Sequence, residues 1–331
     1  MSPEINEFFT NKRILVTGGA GFIGSNLCEA LLAKGARVVC LDNFSTGYPK
    51  NILEFTAKPA FKLIVGDIRN PADCEKACAG VDYVLHHAAL GSVPRSIEDP
   101  ATTDAVNVGG FVNMLIAARD AGVKRFIYAA SSSTYGDSAE LPKTEEKIGR
   151  PLSPYAVTKY VNELYADVFA RTYGMETIGL RYFNVFGPRQ DPEGAYAAVI
   201  PKFVMQFMAH DSPVINGDGS FSRDFTYIDN VIQINELAMK AENSESLNTV
   251  YNVAVGERIS LNDLADTLKG LLSAHDPAIA DLPILHGPER LGDVPHSQAS
   301  IEKARRLLGY NPQYNVQDGL KEAVTWYADN L

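Results

Sequence analysis

Two short stretches of the sequence carry side chains whose type and spacing suit proton transfer. The first is ASSSTYGD at 130–137, in which four consecutive hydroxyl residues precede a tyrosine and a glycine. The second is SPYAVTK, in which Tyr155 and Lys159 fall on one face of a helix that Ser153 can cap and Pro154 can begin. A lysine cation in that place favours the phenolate and lowers the tyrosine pKa from about 10. Tyr155 is therefore a candidate general base, whereas the serine run on its own is equally ordinary turn chemistry.

A glycine pattern near the start of the chain suits a dinucleotide. The stretch RILVTG runs directly into TGGAGFIG, which places Gly18, Gly21 and Gly24 at the opening of a helix. The first glycine permits the tight turn, the second lets a pyrophosphate approach the backbone, and the third lets helix and strand pack closely. Asp42, at the end of the next strand, can bind an adenosine ribose and repels a 2′-phosphate, which predicts NAD rather than NADP. Asp67, after the third strand, can reach the adenine edge or serve as a turn aspartate.

Positioning these groups requires a parallel sheet that is covered on both faces. Short β-branched runs alternate with helical patterns through the first half of the chain, which is typical of a doubly wound α/β fold. After about Arg181 the rhythm changes and Pro and Gly become frequent. We predict an NAD-binding Rossmann domain at 1–181 and a smaller α/β lobe at 182–331, part of whose chain returns to the first domain. The predicted strands are 13–18, 37–42, 61–67, 82–88, 125–131 and 176–181; the helices begin near Phe22, Pro71, Thr102 and Pro154, and an amphipathic helix occupies 315–331.

Composition and charge exclude several classes of protein. The 331 residues carry a net charge of −10, so a broad basic surface for nucleic acid or an anionic membrane is not expected. The N-terminus lacks the basic segment and apolar run of a signal peptide, which predicts a cytoplasmic protein. Cys74 and Cys78 lack C-x-x-C spacing, and the adjacent His86 and His87 point to opposite faces of a strand. We expect reduced cysteines and no metal.

Taken together, the motifs resemble those of one known family. TGGAGFIG, DNFSTG, HHAA, SSSTYGD, SPYAVTK and RYFNVFGPRQ resemble motifs of the extended short-chain dehydrogenase/reductase family, and more closely of its UDP-hexose 4-epimerases, in the branch that handles N-acetylated sugars. INGDGSFSRDFTYIDN and ERLGDVPHS extend the resemblance to nearly the whole chain. The resemblance implies a tightly bound NAD. Its implied contacts are Gly18, Gly21, Phe22, Ile23, Gly24, Asp42, Asn43, Phe44, Ser45, Thr46, Gly47, Asp67, Ile68, Ala88, Ala89, Tyr155 and Lys159.

The same resemblance implies how the reaction begins. The hydroxyl four residues before the tyrosine of the serine loop is that of Ser131, which would hydrogen-bond the 4-hydroxyl of the sugar and pass its proton to Tyr155. C4 of the sugar gives its hydride to NAD, which leaves a 4-keto sugar. The implied substrate contacts, in which the arginine forks suit a diphosphate, are Gly91, Ser92, Ser131, Ser132, Ser133, Asn184, Ala198, Val199, Asn216, Arg223, Arg290, Asp293 and Ser297.

Two positions favour an epimerase for N-acetylated sugars within this family. Dehydratases of the family carry an Asp-Glu pair directly after the catalytic hydroxyl, whereas this chain has Ser132 and Ser133 there. Without that acid, the 4-keto sugar turns its other face and takes the hydride back. Ser297 matches the gate beside the hexose, where a tyrosine would fill the space of an N-acetyl group. The expected reaction interconverts UDP-GlcNAc and UDP-GalNAc, with UDP-glucose and UDP-galactose as slower substrates.

Two other functions stay open at this point. One is a 4-epimerase or decarboxylase for a UDP-uronic acid, whose carboxylate could also find an arginine. The other is a non-catalytic NAD-binding regulator on the same fold, which the presence of both Tyr155 and Lys159 disfavours. The resemblance further implies a homodimer that pairs the helices starting near Thr102 and Pro154, and a role in supplying polysaccharide precursors.

Overall fold

The computed structural model describes residues 7–192, 198–289 and 295–330. Its central element is a seven-stranded parallel sheet with the order β11-β6-β5-β4-β1-β2-β3. The strands are β1 Arg13–Thr17, β2 Arg37–Asp42, β3 Phe61–Val65, β4 Tyr83–His86, β5 Arg125–Ser131, β6 Thr177–Tyr182, β7 Val185–Phe186, β8 Val214–Asn216, β9 Ser222–Arg223, β10 Thr226–Tyr227, β11 Thr249–Val253, β12 Ile259–Ser260 and β13 Leu285–Gly287.

Helices cover both faces of this sheet, as the near-continuous burial of its strands requires. All six residues of β6 are buried, for example. The prediction of a doubly wound α/β fold is confirmed. The helices are α1 Phe22–Ala33, α2 Pro71–Cys78, α3 Val93–Glu98, α4 Pro100–Asp104, α5 Gly110–Asp120, α6 Pro154–Tyr173, α7 Val199–Met208, α8 Ile228–Lys240, α9 Leu261–Ser273, α10 Glu302–Leu308 and α11 Val316–Asn330.

Helix α6 follows its sequence signals at both ends. The hydroxyl oxygen of Ser153 accepts a hydrogen bond from the backbone N–H of Ala156, Pro154 occupies the first turn, and Gly174 ends the helix in the left-handed conformation. The helix predicted to begin near Thr102 is less regular. It begins at Pro100 as α4, passes through a π-helical turn at Ala105–Gly109 and continues as α5.

The second half of the chain contributes to both parts of the molecule. Strand β11 pairs with β6 at the edge of the sheet, and α8 packs against α1 and β5. Short strand pairs, β7 with β10, β8 with β13 and β9 with β12, lie outside the sheet, together with α7 and α9. The predicted C-terminal helix is present as α11, which buries one face. Within the described residues, no helix is long and apolar enough to cross a membrane.

The cysteines and the histidine pair have structural surroundings. All four cysteines are free and buried, and burial raises the pKa of the Cys74 and Cys78 thiols to about 12. The Nδ1 of His86 is hydrogen-bonded to the Thr17 hydroxyl, and the His86 ring stacks on that of Phe126. The Nε2 of His87 is hydrogen-bonded to the Tyr182 hydroxyl instead. Among the residues that the structure describes, no group of three or more His, Cys, Asp or Glu side chains could hold a metal ion.

Candidate active site

A cavity of about 600 Å³ opens at the carboxyl ends of the sheet strands. Parallel α/β sheets place their ligand sites at this edge, because the loops after the strands converge there. The glycine-rich stretch and Asp42 line one end of the cavity, and Ser131, Tyr155 and Lys159 line the other. The two stretches that the sequence singled out for chemistry therefore share one cavity with the glycine pattern.

The glycine loop forms a cradle whose close backbone packing leaves no room for a Cβ at two of its glycines. A Cβ added at Gly24 would lie 2.1 Å from the carbonyl oxygen of Gly18. Gly18 itself has φ +69°, and a Cβ there would lie 2.8 Å from the backbone nitrogen of Ala88. Helix α1 begins directly after Gly21, so its N-terminal end faces the cavity wall that these glycines form. The cradle fits the pyrophosphate of a dinucleotide.

Carboxylates define the other half of the proposed cofactor site. Each oxygen of Asp42 accepts one backbone hydrogen bond, Oδ2 from Ala20 at 2.9 Å and Oδ1 from Phe44 at 2.8 Å. Each oxygen keeps a second acceptor position that ribose hydroxyls can use. Asp67 is held by the guanidinium of Arg69, which keeps the pKa of its carboxyl at about 2. This end of the cavity therefore stays anionic at neutral pH and suits NAD better than NADP.

Two loops meet across the opening of the cavity beside this end. The backbone N–H of Tyr48 donates to the carbonyl of Ala20, which fixes the loop after β2 on the glycine cradle. The hydroxyl of Tyr48 donates to Asp191 Oδ2 at 2.8 Å, and Asp191 belongs to the loop after β7. Because Asp191 and Gln190 line the cavity, this hydrogen bond joins two walls of the cavity at its rim.

Tyr155, Lys159 and Ser131 form the chemical end of the cavity. Lys159 is 4% exposed and donates from Nζ to the carbonyl oxygen of Ala129 at 2.8 Å. Burial lowers the pKa of Lys159 to about 8, and its Nζ lies 6.0 Å from the centre of the Tyr155 ring. Ser131 lines the cavity beside them and opposes the rise in the pKa of Tyr155. The three side chains therefore share the chemical end of one cavity.

The protein alone does not lower the pKa of Tyr155, whereas the sequence predicts a lowering by Lys159 together with the nicotinamide cation. Burial raises the pKa of the Tyr155 phenol, and the opposing influence comes from the hydrogen bond with Ser131. The Nζ of Lys159 lies 6.0 Å from the centre of the Tyr155 ring and donates to the Ala129 carbonyl rather than to the phenol oxygen. Ser131 is thus the protein group that favours the phenolate.

Most of the residues predicted to bind NAD line the cavity. Two do not: Phe44 packs its ring against the hydrophobic core, and Gly47 lies against the backbone of Ala20. The predicted cofactor residues that line it are Gly18, Gly21, Phe22, Ile23, Gly24, Asp42, Asn43, Ser45, Thr46, Asp67, Ile68, Ala88, Ala89, Tyr155 and Lys159.

The residues predicted to bind substrate divide into three groups. Gly91, Ser92, Ser131, Ser132, Asn184 and Ala198 line the cavity. Ser133, Val199, Asn216, Arg223 and Ser297 are outside its wall: Ser133 turns to Ser131, Asn216 ends the peripheral strand β8, and Arg223 donates from Nη1 to the carbonyls of Ser222 and Pro295. Arg290 and Asp293 lie outside the described residues.

Several cavity residues were missed by the sequence reasoning. Tyr182 ends β6, and its hydroxyl contacts His87 Nε2 at 2.8 Å and Asn235 Nδ2 at 2.9 Å. Burial lowers the pKa of His87 to about 3, so its imidazole is neutral at physiological pH. Residues such as Tyr182 and His87 could have been predicted from their place at or just after the end of a strand, because the carboxyl ends of parallel strands meet at one edge of the sheet. The missed residues are Leu41, Gly66, His87, Leu90, Arg95, Val106, Ala129, Ala130, Tyr182, Val185, Gln190 and Asp191.

The model of the NAD-dependent epimerase/dehydratase family matches residues 14–254. The chain belongs to that family. It is 37% identical over 319 residues to a putative UDP-glucose 4-epimerase of Methanocaldococcus jannaschii, and this alignment covers 96% of this chain and 99% of the relative. It is 31% identical to UDP-glucuronate 4-epimerase 2 of Arabidopsis thaliana, over 95% of this chain and 75% of the relative.

A solved structure agrees with this family membership. The chain superposes with a TM-score of 0.90 on a UDP-N-acetylglucosamine 4-epimerase of Methanobrevibacter ruminantium in complex with UDP-N-acetylmuramic acid, at 36% identity over 97% of this chain and 100% of that chain. The family member described here uses NAD as its cofactor. Its relatives support 4-epimerisation of a UDP-sugar as its reaction.

Proposed function

We propose that this protein is a UDP-hexose 4-epimerase that interconverts UDP-GlcNAc and UDP-GalNAc through a 4-keto sugar. The observation that carries the proposal is the composition of the serine loop beside the base. Ser131 ends β5 and lines the cavity together with Ser132, and the two positions directly after Ser131 are the serines Ser132 and Ser133 rather than acidic residues. A general base is therefore present where the reaction starts, and the acid that elimination requires is not.

The carboxylates of the cavity wall support this distinction. Among the described lining residues they are Asp42, Asp67 and Asp191. Asp42 and Asp67 belong to the proposed cofactor end, and Asp191 is hydrogen-bonded to Tyr48 at the rim. Hydroxyl groups rather than carboxyl groups surround the proposed sugar position, so a 4-keto sugar has no acid to protonate a leaving hydroxyl.

The proposed chemistry uses the three residues at the chemical end. Tyr155 accepts the proton of the sugar 4-hydroxyl as a phenolate, and Ser131 supports that phenolate through its hydrogen bond. Lys159, held by the Ala129 carbonyl, contributes a positive charge to this end of the cavity. When bound, NAD supplies the acceptor for the C4 hydride and returns it to the other face of the sugar.

Inversion also requires room for the keto sugar to turn. Gly91 lines the cavity next to Ser92, and a Cβ added at Gly91 would meet no atom within 4 Å. The sugar end of the cavity is therefore open on this side. We propose that Gly91, Ser92 and Asn184 contact the sugar and its diphosphate, and that Arg223 and Arg290 pair with the diphosphate.

Ser297 supports the N-acetylated substrates in this proposal. Its N–H donates to the carbonyl of Ser222 at 3.0 Å, which fixes its segment beside β9 and Arg223. The segment is further held by Asp224, whose Oδ2 accepts the N–H of Ala299 at 3.1 Å. A fixed backbone with a small side chain can leave space for an acetamido group.

We predict that Ser297→Tyr shifts substrate preference away from N-acetylated sugars. The larger side chain should lower kcat/KM for UDP-GlcNAc relative to UDP-glucose by about 10- to 200-fold, the range that one group gives in a shaped pocket. Chromatographic separation of the UDP-sugars after short incubations measures both rates. Ser297→Ala is the matched control, because it keeps the space open and should leave the ratio unchanged. An unaltered ratio in Ser297→Tyr excludes the gate.

The proposed function itself has a direct test. The purified protein is incubated with UDP-GlcNAc, UDP-glucose or UDP-glucuronate without added NAD, and the products are separated by chromatography. We expect UDP-GalNAc to form fastest, without net production of NADH, since inversion is redox-neutral. Faster conversion of UDP-glucuronate, or release of CO₂ with a UDP-pentose, would instead establish the uronic acid alternative. No conversion of any of the three contradicts the proposal.

We also propose that the protein is a homodimer that pairs α5 and α6 of two copies. Helix α6 exposes Val157, Leu164 and Val168 at helical spacing, each more than two-fifths exposed, and α5 exposes Ile116. A continuous apolar strip of this kind is typical of a protein interface. We expect sedimentation equilibrium at micromolar concentration to give twice the 36.0 kDa mass of one chain, and Leu164→Glu to give a single one.

A further inference from the structure

The two acceptor positions of the Ser131 hydroxyl are both filled by one neighbour. Ser131 ends β5 and caps a 3₁₀ turn at Ser132–Tyr135. The N–H of Ser133 donates to Ser131 Oγ at 3.1 Å, and the hydroxyl of Ser133 donates to the same atom at 2.8 Å. A serine hydroxyl has one proton to donate and two acceptor positions. Ser131 therefore keeps only its proton for other partners.

That proton has a partner in the cavity. Ser131 and Tyr155 line the same cavity, and a hydrogen bond from the Ser131 hydroxyl to the Tyr155 oxygen opposes the burial that raises the pKa of the phenol. A phenolate can only accept hydrogen bonds, so Ser131 must be the donor whenever Tyr155 is ready to act as a base. The hydroxyls then form a chain of fixed direction, from Ser133 to Ser131 to Tyr155.

We propose that Ser133 is a positioning residue that makes Ser131 a one-way donor, so that the proton of the sugar hydroxyl passes directly to Tyr155 and not through Ser131. This inference rests on the proposed function. The O–H bond of the sugar breaks and the O–H bond of Tyr155 forms, while the C4 hydride goes to the nicotinamide cofactor. Ser131 and Ser133 keep their own protons throughout. The return step reverses this transfer on the other face of the sugar.

The placement of Ser133 separates this role from a substrate contact. Ser131 and Ser132 line the cavity, whereas Ser133 is outside the lining and turns its hydroxyl to Ser131. We therefore expect its effect on the reaction to pass through Ser131. The next residue supplies a matched control. Thr134 is fully buried in the same turn, and within the described residues its Oγ1 has no hydrogen-bond partner.

The test compares the pH dependence of four proteins. Wild type, Ser133→Ala, Ser133→Thr and Thr134→Val are assayed for kcat and KM between pH 5 and 10 on the preferred UDP-hexose. In Ser133→Ala, Ser131 regains a free acceptor position and can accept a hydrogen bond from the neutral Tyr155 phenol, which favours the phenol over the phenolate. We expect the acidic limb of kcat to move up by about one pH unit, which is roughly a tenfold loss of rate on that limb, with KM unchanged. Ser133→Thr, which keeps both donors, and Thr134→Val should match wild type.

Two further measurements keep the outcome decisive. A proton inventory in mixtures of H₂O and D₂O should be linear in wild type, because one proton moves, whereas a curved inventory shows a relay through Ser131 and overturns the proposal. An unchanged acidic limb in correctly folded Ser133→Ala, checked by circular dichroism, also overturns it, as does a raised KM with normal kcat.

Titration of the Tyr155 phenol by tyrosinate absorbance, against a Tyr155→Phe reference, needs no substrate. The phenol pKa should rise by the same amount, even if no UDP-hexose is converted and the proposed function fails.

Discussion

Replacing Tyr155 with phenylalanine is expected to lower kcat by about 10²- to 10⁴-fold, the usual contribution of a positioned general base. The substitution removes the phenol oxygen that takes the proton of the sugar 4-hydroxyl, and it leaves the ring in the cavity wall. NAD should stay bound, because the glycine cradle and Asp42 lie at the other end of the cavity. Turnover is measured by chromatography of the UDP-sugars, and bound NAD is measured after release by denaturation.

Tyr160→Phe provides the matched control for this substitution. Tyr160 lies on the same helix, one position after Lys159, and takes no part in the cavity wall within the described residues. The Tyr160→Phe variant should therefore turn over substrate at the wild-type rate. If Tyr155→Phe retains activity within tenfold of wild type while binding NAD normally, Tyr155 is not the base, and proton transfer must be assigned to another group.

The catalytic cavity could be predicted in part because its residues lie in local motifs. The glycine loop, Asp42 and the Tyr155–Lys159 pair each depend on neighbours within a few positions, and the structure brings them to one edge of the sheet. The strands could also be predicted, since five of the first six are short runs with at most one exposed residue; β3 is the exception, because Lys62 and Val65 are exposed. The division of the chain at residues 181 and 182 stays a prediction.

Side-chain direction is what the motifs do not determine. Ser132 and Ser133 are adjacent in the same serine run, yet the tight 3₁₀ turn aims one into the cavity and the other at Ser131. The pKa of Tyr155 in the protein alone could not be predicted for a related reason. Helical spacing places Lys159 near Tyr155, but burial raises the pKa of the phenol, and the lysine Nζ donates to the Ala129 carbonyl.

Contacts between distant parts of the chain also could not be predicted from local sequence patterns. Strand β11 pairs with β6, and Asn252 on β11 donates to the carbonyls of Lys143 and Ser300. Tyr182 reaches the cavity and bonds Asn235 of α8. Pairings of this kind depend on the packing of the whole sheet, because burying an amide or hydroxyl is tolerable only where a partner arrives from elsewhere.

Replacing Arg181 with methionine is expected to lower the free energy of unfolding by about 3–5 kcal/mol, the usual effect of breaking a buried ion pair. Both side chains are nearly inaccessible: Arg181 is 3% exposed and Glu163 is 8% exposed. The guanidinium binds the Glu163 carboxylate through Nε at 2.8 Å and Nη2 at 2.7 Å. Methionine leaves that carboxylate buried without its partner. Urea denaturation followed by circular dichroism measures the change.

The same substitution should reduce activity, because Arg181 connects the two elements that carry the proton chemistry. Its Nη1 donates to the Tyr135 hydroxyl at 3.0 Å and to the carbonyl of Glu145 at 2.9 Å. Tyr135 ends the turn that Ser131 caps, and Glu163 lies one helical turn beyond Lys159 on α6. Loss of the guanidinium therefore loosens the serine loop relative to the helix that holds Tyr155.

A double variant separates the cost of the unpaired Glu163 carboxylate from the cost of the packing and hydrogen bonds lost with Arg181. Arg181→Met combined with Glu163→Leu removes both charges, so most of the lost stability should return, as it does when buried ion pairs are replaced by apolar groups. Activity should recover less than stability, since Tyr135 still lacks its hydrogen bond from Arg181. Arg171→Met breaks the exposed pair with Asp167 and should cost no more than about 1 kcal/mol. A double variant no more stable than Arg181→Met alone would mean that the unpaired Glu163 carboxylate is not the source of the loss.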